Sequence, residues 1–147
     1  MATSFELRAR EDEAPESAPA QAAALFGKPG PFPLRRDGKV TVVRGWVVGR
    51  GRAECRDGDS LVTWVHLDLL LTDEARYLTC ERVGSQRGTN ISIPVTTVTA
   101  HENSDALREH CEAAVDDPLR AAVRCAALDD ASRRWPPLKA PPRRAHR

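Results

Sequence analysis

The chain has 147 residues, 29% charged and 41% hydrophobic, with a formal net charge of +1. That is enough for one domain with its own core, and too balanced in charge for a uniformly basic nucleic-acid tail. No apolar run approaches the length of a membrane span, and no charged start followed by an apolar stretch marks a signal peptide.

Overall neutrality hides segregation. Seven bases lie between Arg35 and Arg56 against Asp37 and Glu54 alone. Six acids and one arginine lie between Glu102 and Asp117, and six bases with no acid run from Arg133 to the end. Cys55, Cys80, Cys111 and Cys125 are irregularly spaced, and the histidines offer no finger spacing. Free thiols are therefore expected, with no metal site and no cofactor.

Met1 to Pro33 is rich in Ala, Pro and Glu, with a helical stretch at Pro19 to Phe26. Residues 1–37 are expected to be a mobile segment, 38–130 the folded domain and 131–147 a basic proline-rich tail. Lys39 to Val48 is β-branched and strand-like, weakened by Gly45 and ended by Gly49 to Gly51. Trp46 in it suits core packing or a sheet edge. Asp57 to Ser60 is a turn in which Asp59 or Ser60 can cap a helix. Leu61 to Leu71 fits both periods. Leu61, Trp64, Val65 and Leu69 make a helix stripe, and alternate positions from Leu61 make a strand. Length and cap favour the helix. Ala75 to Val83 reads as a strand, and Gly84 to Gly88 as a turn.

From Asn90 the chain alternates. Asn90, Ser92 and Pro94 point one way, and Ile91, Ile93 and Val95 the other. After a break near Thr96, Thr97, Thr99 and His101 share one side, with Val98 and Ala100 opposite. Two such runs predict a hairpin. Its face of small hydroxyls and amides suits close approach by a sugar-phosphate backbone. A helix follows from Ser104 to Val115, capped by Ser104, with Leu107, Cys111, Ala114 and Val115 as its inner stripe. Pro118 interrupts it, and Leu119 to Leu128 forms a second helix. His66 and His110 read as ordinary partly buried residues.

No nucleophile elbow, glycine-rich phosphate loop or zinc-protease motif is present, so binding rather than catalysis is expected and no catalytic residue is assigned. A small β-barrel for single-stranded nucleic acid is one alternative, although aromatics make up only 5% of the chain. An adaptor recruiting Argonaute through Gly45-Trp46 is another.

The order Gly38-Lys39-Val40, Arg44, Ser60-Leu61, Trp64, Tyr77, Gly84, Gln86, Gly88, Ser92-Ile93, Val98, Thr99 and Leu107 with Cys111-Glu112 resembles the tombusvirus RNA-silencing suppressors and their smaller aureusvirus relatives. The likeness runs from about Gly38 to Val115. It implies an α+β fold: a small curved, mainly antiparallel four-stranded sheet with helices packed on one face, extended across a homodimer. It implies a viral protein of the host cytoplasm, with nuclear shuttling compatible with the basic tail. It would bind double-stranded RNA, including siRNA, through phosphates and 2′-hydroxyls without reading sequence, keep it from Argonaute, and need no membrane.

On this resemblance Lys39 and Arg44 match basic positions of the first strand, while Arg50 and Arg52 join them by charge. Gln86, Gly88, Asn90 and Ser92 match polar contacts, and Thr97, Thr99 and His101 the hydroxyl-bearing face of the last strand. The last strand and helix would carry the dimer interface, through Val98, Leu107, Cys111 and Val115. Pro94 stands where the family has a base. No tryptophan precedes Gly38 to stack on a duplex end, so binding without strict length selection is expected.

Overall fold

The leucines at alternate positions of residues 61–71 decide the architecture. In the computed structural model, which describes residues 13–58 and 60–139, Leu61–Thr72 is a strand and not a helix. Val65, Leu67, Leu69 and Leu71 are all fully buried on one face. A period of two collects them there, whereas a helix would have spread them around its circumference. Asp59, one of the two expected helix caps, lies outside the described residues, as do the outer parts of the expected mobile segment and basic tail.

Six strands form one antiparallel sheet: β1 (Gly30–Arg36), β2 (Lys39–Asp57), β3 (Leu61–Thr72), β4 (Tyr77–Arg87), β5 (Asn90–Ile91) and β6 (Val95–His101). The first four follow in chain order, and β5 and β6 both pair with the outer side of β4. The expected hairpin between the Asn90 and Thr97 runs is therefore absent. The two runs are one edge strand interrupted at Ser92 to Pro94. Pro94 has no N–H to give to the ladder, which fits the break. The fold is α+β as expected, with an open antiparallel sheet, and it has six strands where four were expected. The proline-rich stretch before Gly38 supplies the additional strand β1, at the sheet edge where proline is tolerated.

Three helices are described: α1 (Glu13–Phe26), α2 (Ser104–Glu112) and α3 (Pro118–Arg134), followed by a 3-10 turn at Pro136–Leu138. Asn103, not Ser104, caps α2, its side chain accepting from the Ala106 amide at 2.8 Å. Asp117 caps α3, with Pro118 at the first turn where no N–H is needed. None of the described helices is long and apolar enough to cross a membrane.

The glycines of β2 do not end it. The strand runs on to Asp57 through a register shift between Val47 and Gly49. A Cβ on Gly49 would lie 2.6 Å from the Ala131 Cβ, and one on Gly51 would lie 2.4 Å from the Val123 carbonyl oxygen. The two glycines form a notch into which the backbone of α3 settles.

The main core lies between the helices and this face of the sheet, built from Val48, Val65, Leu67, Leu69, Leu107, Val123 and Ala127 among others. It reaches outside residues 38–130 at both ends, taking in Ala18 and Ala22 of α1 and also Trp135 and Leu138. Trp135 is fully buried and donates its indole N–H to the Tyr77 hydroxyl at 2.8 Å, which satisfies its polar atom. A second apolar cluster joins Leu34, Leu70, Leu78 and Cys80 on the opposite face. Phe32 of β1 and Val98 of β6 pack against it, so the sheet curls at this end until its two edges approach.

Candidate functional site

Directly paired residues share a face of a sheet. On the face away from the helices, Arg52 of β2 pairs with His66 of β3, His66 with Arg82 of β4, and Arg82 with Thr96 of β6. At the usual strand spacing, Arg52, His66 and Arg82 span about 10 Å of sheet. The neighbouring rows are Arg50, Asp68, Cys80 and Val98, then Glu54, Trp64 and Gly84, then Arg56, Val62, Gln86 and Ile91. This face thus carries four guanidinium groups against two carboxylates.

The carboxylates are already engaged. Arg50 donates Nε–H to Asp68 at 2.8 Å, and Arg56 lies 3.9 Å from Glu54. Among the described residues, neither Arg52 nor Arg82 has a carboxylate within ion-pair distance. Both are exposed. The imidazole of His66 is held below its ordinary pKa, first by burial and then by the positive charges of Arg52 and Arg82. It is neutral at neutral pH and offers one donor and one acceptor. Beside it, the ring of Trp64 fills the space over Gly84, where a Cβ would come within 2.3 Å of the indole. The Trp64 and His66 rings lie 4.7 Å apart, tilted by 41°.

The covered face handles charge differently. Glu81, buried, accepts from Arg120 Nη2 at 2.8 Å and lies 3.8 Å from Arg124 Nε. His101 bonds Thr79 through Nε2 and Oγ1 at 3.1 Å, and its ring lies 4.8 Å from that of His110 on α2. Burial lowers both histidine pKa values, helped by the facing His110 for His101 and by Arg124 for His110.

The residues expected to meet RNA are divided between these faces. Arg50, Arg52 and Gln86 share the open one. Thr97, Thr99 and His101 pair with Glu81, Thr79 and Tyr77, on the face that carries the helices. His101 is only 9% exposed. Thr99 is half-buried and Thr97 is exposed, on the side of the sheet that carries α2 and α3. Arg44 shares the helix side with Trp46 and donates to the Pro29 carbonyl at 3.2 Å. Lys39 sits exposed at the β1–β2 turn, far along β2 from Arg52. Gly88 is exposed in the β4–β5 turn and Asn90 at the start of β5, and Ser92 is tied to Ser85.

The residues expected at a dimer seam are mostly engaged within this chain. Leu107 and Cys111 are buried in the protomer's own core, and Val98 packs against the second cluster. Val115 is half-buried just beyond α2. Trp46, the expected centre of an Argonaute hook, is 5% exposed and donates its indole N–H to the Gly27 carbonyl at 2.8 Å, so no indole is presented there.

Sequence reasoning missed Arg82, His66, Trp64, Arg56 and Thr96. The signal was present: had residues 61–71 been read as a strand, Trp64, His66 and Asp68 would have alternated against the leucines. A cavity of about 500 Å³ opens at the apolar end of the open face, over Leu34, Leu78 and Val98. Its charged lining is balanced, Asp73 and Glu74 against Arg44 and Arg76, unlike the basic rows. Among the described residues, no group of three or more His, Cys, Asp or Glu side chains is placed to hold a metal ion.

Neither a protein-family model, nor a curated protein, nor a solved structure matches this chain.

Proposed function

We propose that the open face of the sheet binds the backbone of double-stranded RNA without reading sequence, and that the protein acts by sequestering RNA duplexes, siRNA among them. The observation that carries this reading is the row of Arg52, His66 and Arg82 across three strands, with both guanidiniums free of carboxylate partners among the described residues. Phosphates are the complementary ligand, since neutralising them releases condensed counterions. Gln86 and Thr96 on the same face are short hydrogen-bonding groups of the kind that meet 2′-hydroxyls across the wide, shallow minor groove of an A-form helix. Nothing in this role requires a chemical step, so the protein is proposed as a binder and not an enzyme. Suppression of RNA silencing follows from the resemblance to the tombusvirus and aureusvirus proteins.

The RNA-contacting set proposed is Arg50, Arg52, Arg56, His66, Arg82, Gln86 and Thr96. Phe26 is occupied by a ring contact with Trp135 at 6.0 Å, and no tryptophan precedes Gly38. Binding without strict length selection is the reading that accords with this. Dimerisation is proposed through the β5–β6 edge, where Ile91, Val95 and the 90% exposed Ile93 are unpartnered among the described residues. A monomer by light scattering at micromolar concentration contradicts it.

Neither alternative gains support. The sheet is open and not a barrel, and the Gly45-Trp46 indole is buried. The deciding experiment is a salt-titrated competition among duplex RNA, duplex DNA and single-stranded RNA of one sequence. The reading expects duplex RNA to win, with affinity falling steeply as salt rises. Equal affinity for the two duplexes, or preference for the single strand, overturns it.

A further inference from the structure

Of the three tryptophans, two serve the fold. Trp46 and Trp135 are buried in the main core, and each donates its indole N–H to a named acceptor. Trp64 does neither. Among the described residues it belongs to neither apolar cluster, and its indole N–H has no acceptor. It is half-buried, with its ring laid over Gly84. Its ring packs over Gly84 and against the His66 ring, and the rest of it stays on the open face of the sheet, outside the core.

Its surroundings suggest what it meets. Trp64 lies two residues along β3 from His66, about 7 Å by strand geometry, so it adjoins the Arg52–His66–Arg82 row. Phosphate-binding cations and an aromatic plane therefore sit within the reach of one nucleotide. Aromatic platforms beside basic groups hold nucleobases by stacking, whatever the base. A base inside a duplex has both of its faces covered by neighbouring pairs. A terminal pair exposes one face, but in a duplex lying along the sheet that face stands across the sheet and not parallel to a ring laid over Gly84, whereas an unpaired nucleotide can turn its base down onto Trp64.

Resting on the duplex reading above, we propose that Trp64 stacks an unpaired nucleobase next to the bound duplex, so that the preferred ligand is an RNA duplex with unpaired terminal nucleotides. The arginine row grips the backbone, and Trp64 selects for the single-stranded end. Gly84 is part of this device, because a side chain there would displace the ring.

The test compares three probes: a short blunt RNA duplex, the same duplex with unpaired terminal nucleotides, and that duplex with the unpaired nucleotides made abasic. The native protein should bind the second roughly tenfold more tightly than the first, in keeping with one stacked base, and the abasic probe should fall back to the blunt value. Trp64→Leu, which keeps Gly84 covered, should erase the difference between the blunt and tailed probes. Trp64→Phe should retain part of it. Tryptophan fluorescence should be quenched by the second probe and not by the abasic one. Equal binding of blunt and tailed duplexes, or a preference that survives Trp64→Leu, overturns the inference while leaving the duplex reading intact. Failure of both duplexes to bind removes the two together.

Discussion

The two faces of the sheet use the same side chain for opposite ends. On the covered face, Arg120 and Arg124 converge on the buried Glu81, and the charge is neutralised on site. On the open face, Arg52 and Arg82 flank a neutral imidazole and find no carboxylate among the described residues. An arginine matched to a buried carboxylate holds helices on a sheet. An arginine held in line and left unpaired raises the local potential and attracts an anion. The difference teaches that arginine count says little about function in this chain, and that the carboxylates facing each arginine say more.

The comparison makes distinct demands on stability. The largest expected loss comes from Glu81→Ala. It leaves the buried Arg124 guanidinium without its carboxylate, and removing one partner of a buried pair typically costs about 3–5 kcal/mol, to which the part-exposed Arg120 adds little. Denaturant melts check this, and an unchanged midpoint would show that the covered face does not depend on its charge cluster. Gly51→Ala should cost less, about 1–3 kcal/mol, because the added methyl meets α3 backbone that must shift. The same melts decide it, and a neutral result would mean that α3 has room to move.

Acid should act more gently. His66, His101 and His110 all have pKa values held below the ordinary 6.5. As pH falls through that value, the unfolded chain takes up protons before the folded one does. Stability is therefore full above it and declines as pH drops toward the lower folded values. Thermal melts at successive pH values check the direction. Replacing His101 and His110 together with asparagine should flatten the decline more than replacing His66, whose open-face site relaxes more readily. A midpoint that rises on acidification contradicts the assignment. Smallest of all should be the effect of Arg52→Ala with Arg82→Ala on stability, within about 0.5 kcal/mol, since both are exposed and have no carboxylate partner among the described residues.

Much of the fold was legible in the residues. The strands around Val42 and Tyr77, the turn before Leu61 and the two helices after His101 follow from β-branching, turn residues and caps. Residues 61–71 misled because leucine at alternate positions also satisfies a helix stripe, and only pairing with β2 and β4 resolves the two. The glycines of β2 read as a strand end because their purpose, admitting the backbone of α3, lies in another element some eighty residues away. The polar face of Thr97, Thr99 and His101 is legible as a face, but alternation does not say which face the helices will cover. That choice follows from the leucines of β3, through a register no single strand contains. Val98 and Ala100, opposite these residues, line the curled apolar end of the open face instead.

The central claim is that the Arg52–His66–Arg82 row grips an RNA backbone. The most direct test is the salt dependence of duplex-RNA affinity in the native protein and in the Arg52→Ala, Arg82→Ala variant. Each phosphate that is no longer neutralised should reduce the slope of log affinity against log salt by about 0.9, so the account predicts a slope lower by about 2 with weaker binding at every salt concentration. An unchanged slope and affinity in a folded variant would contradict it.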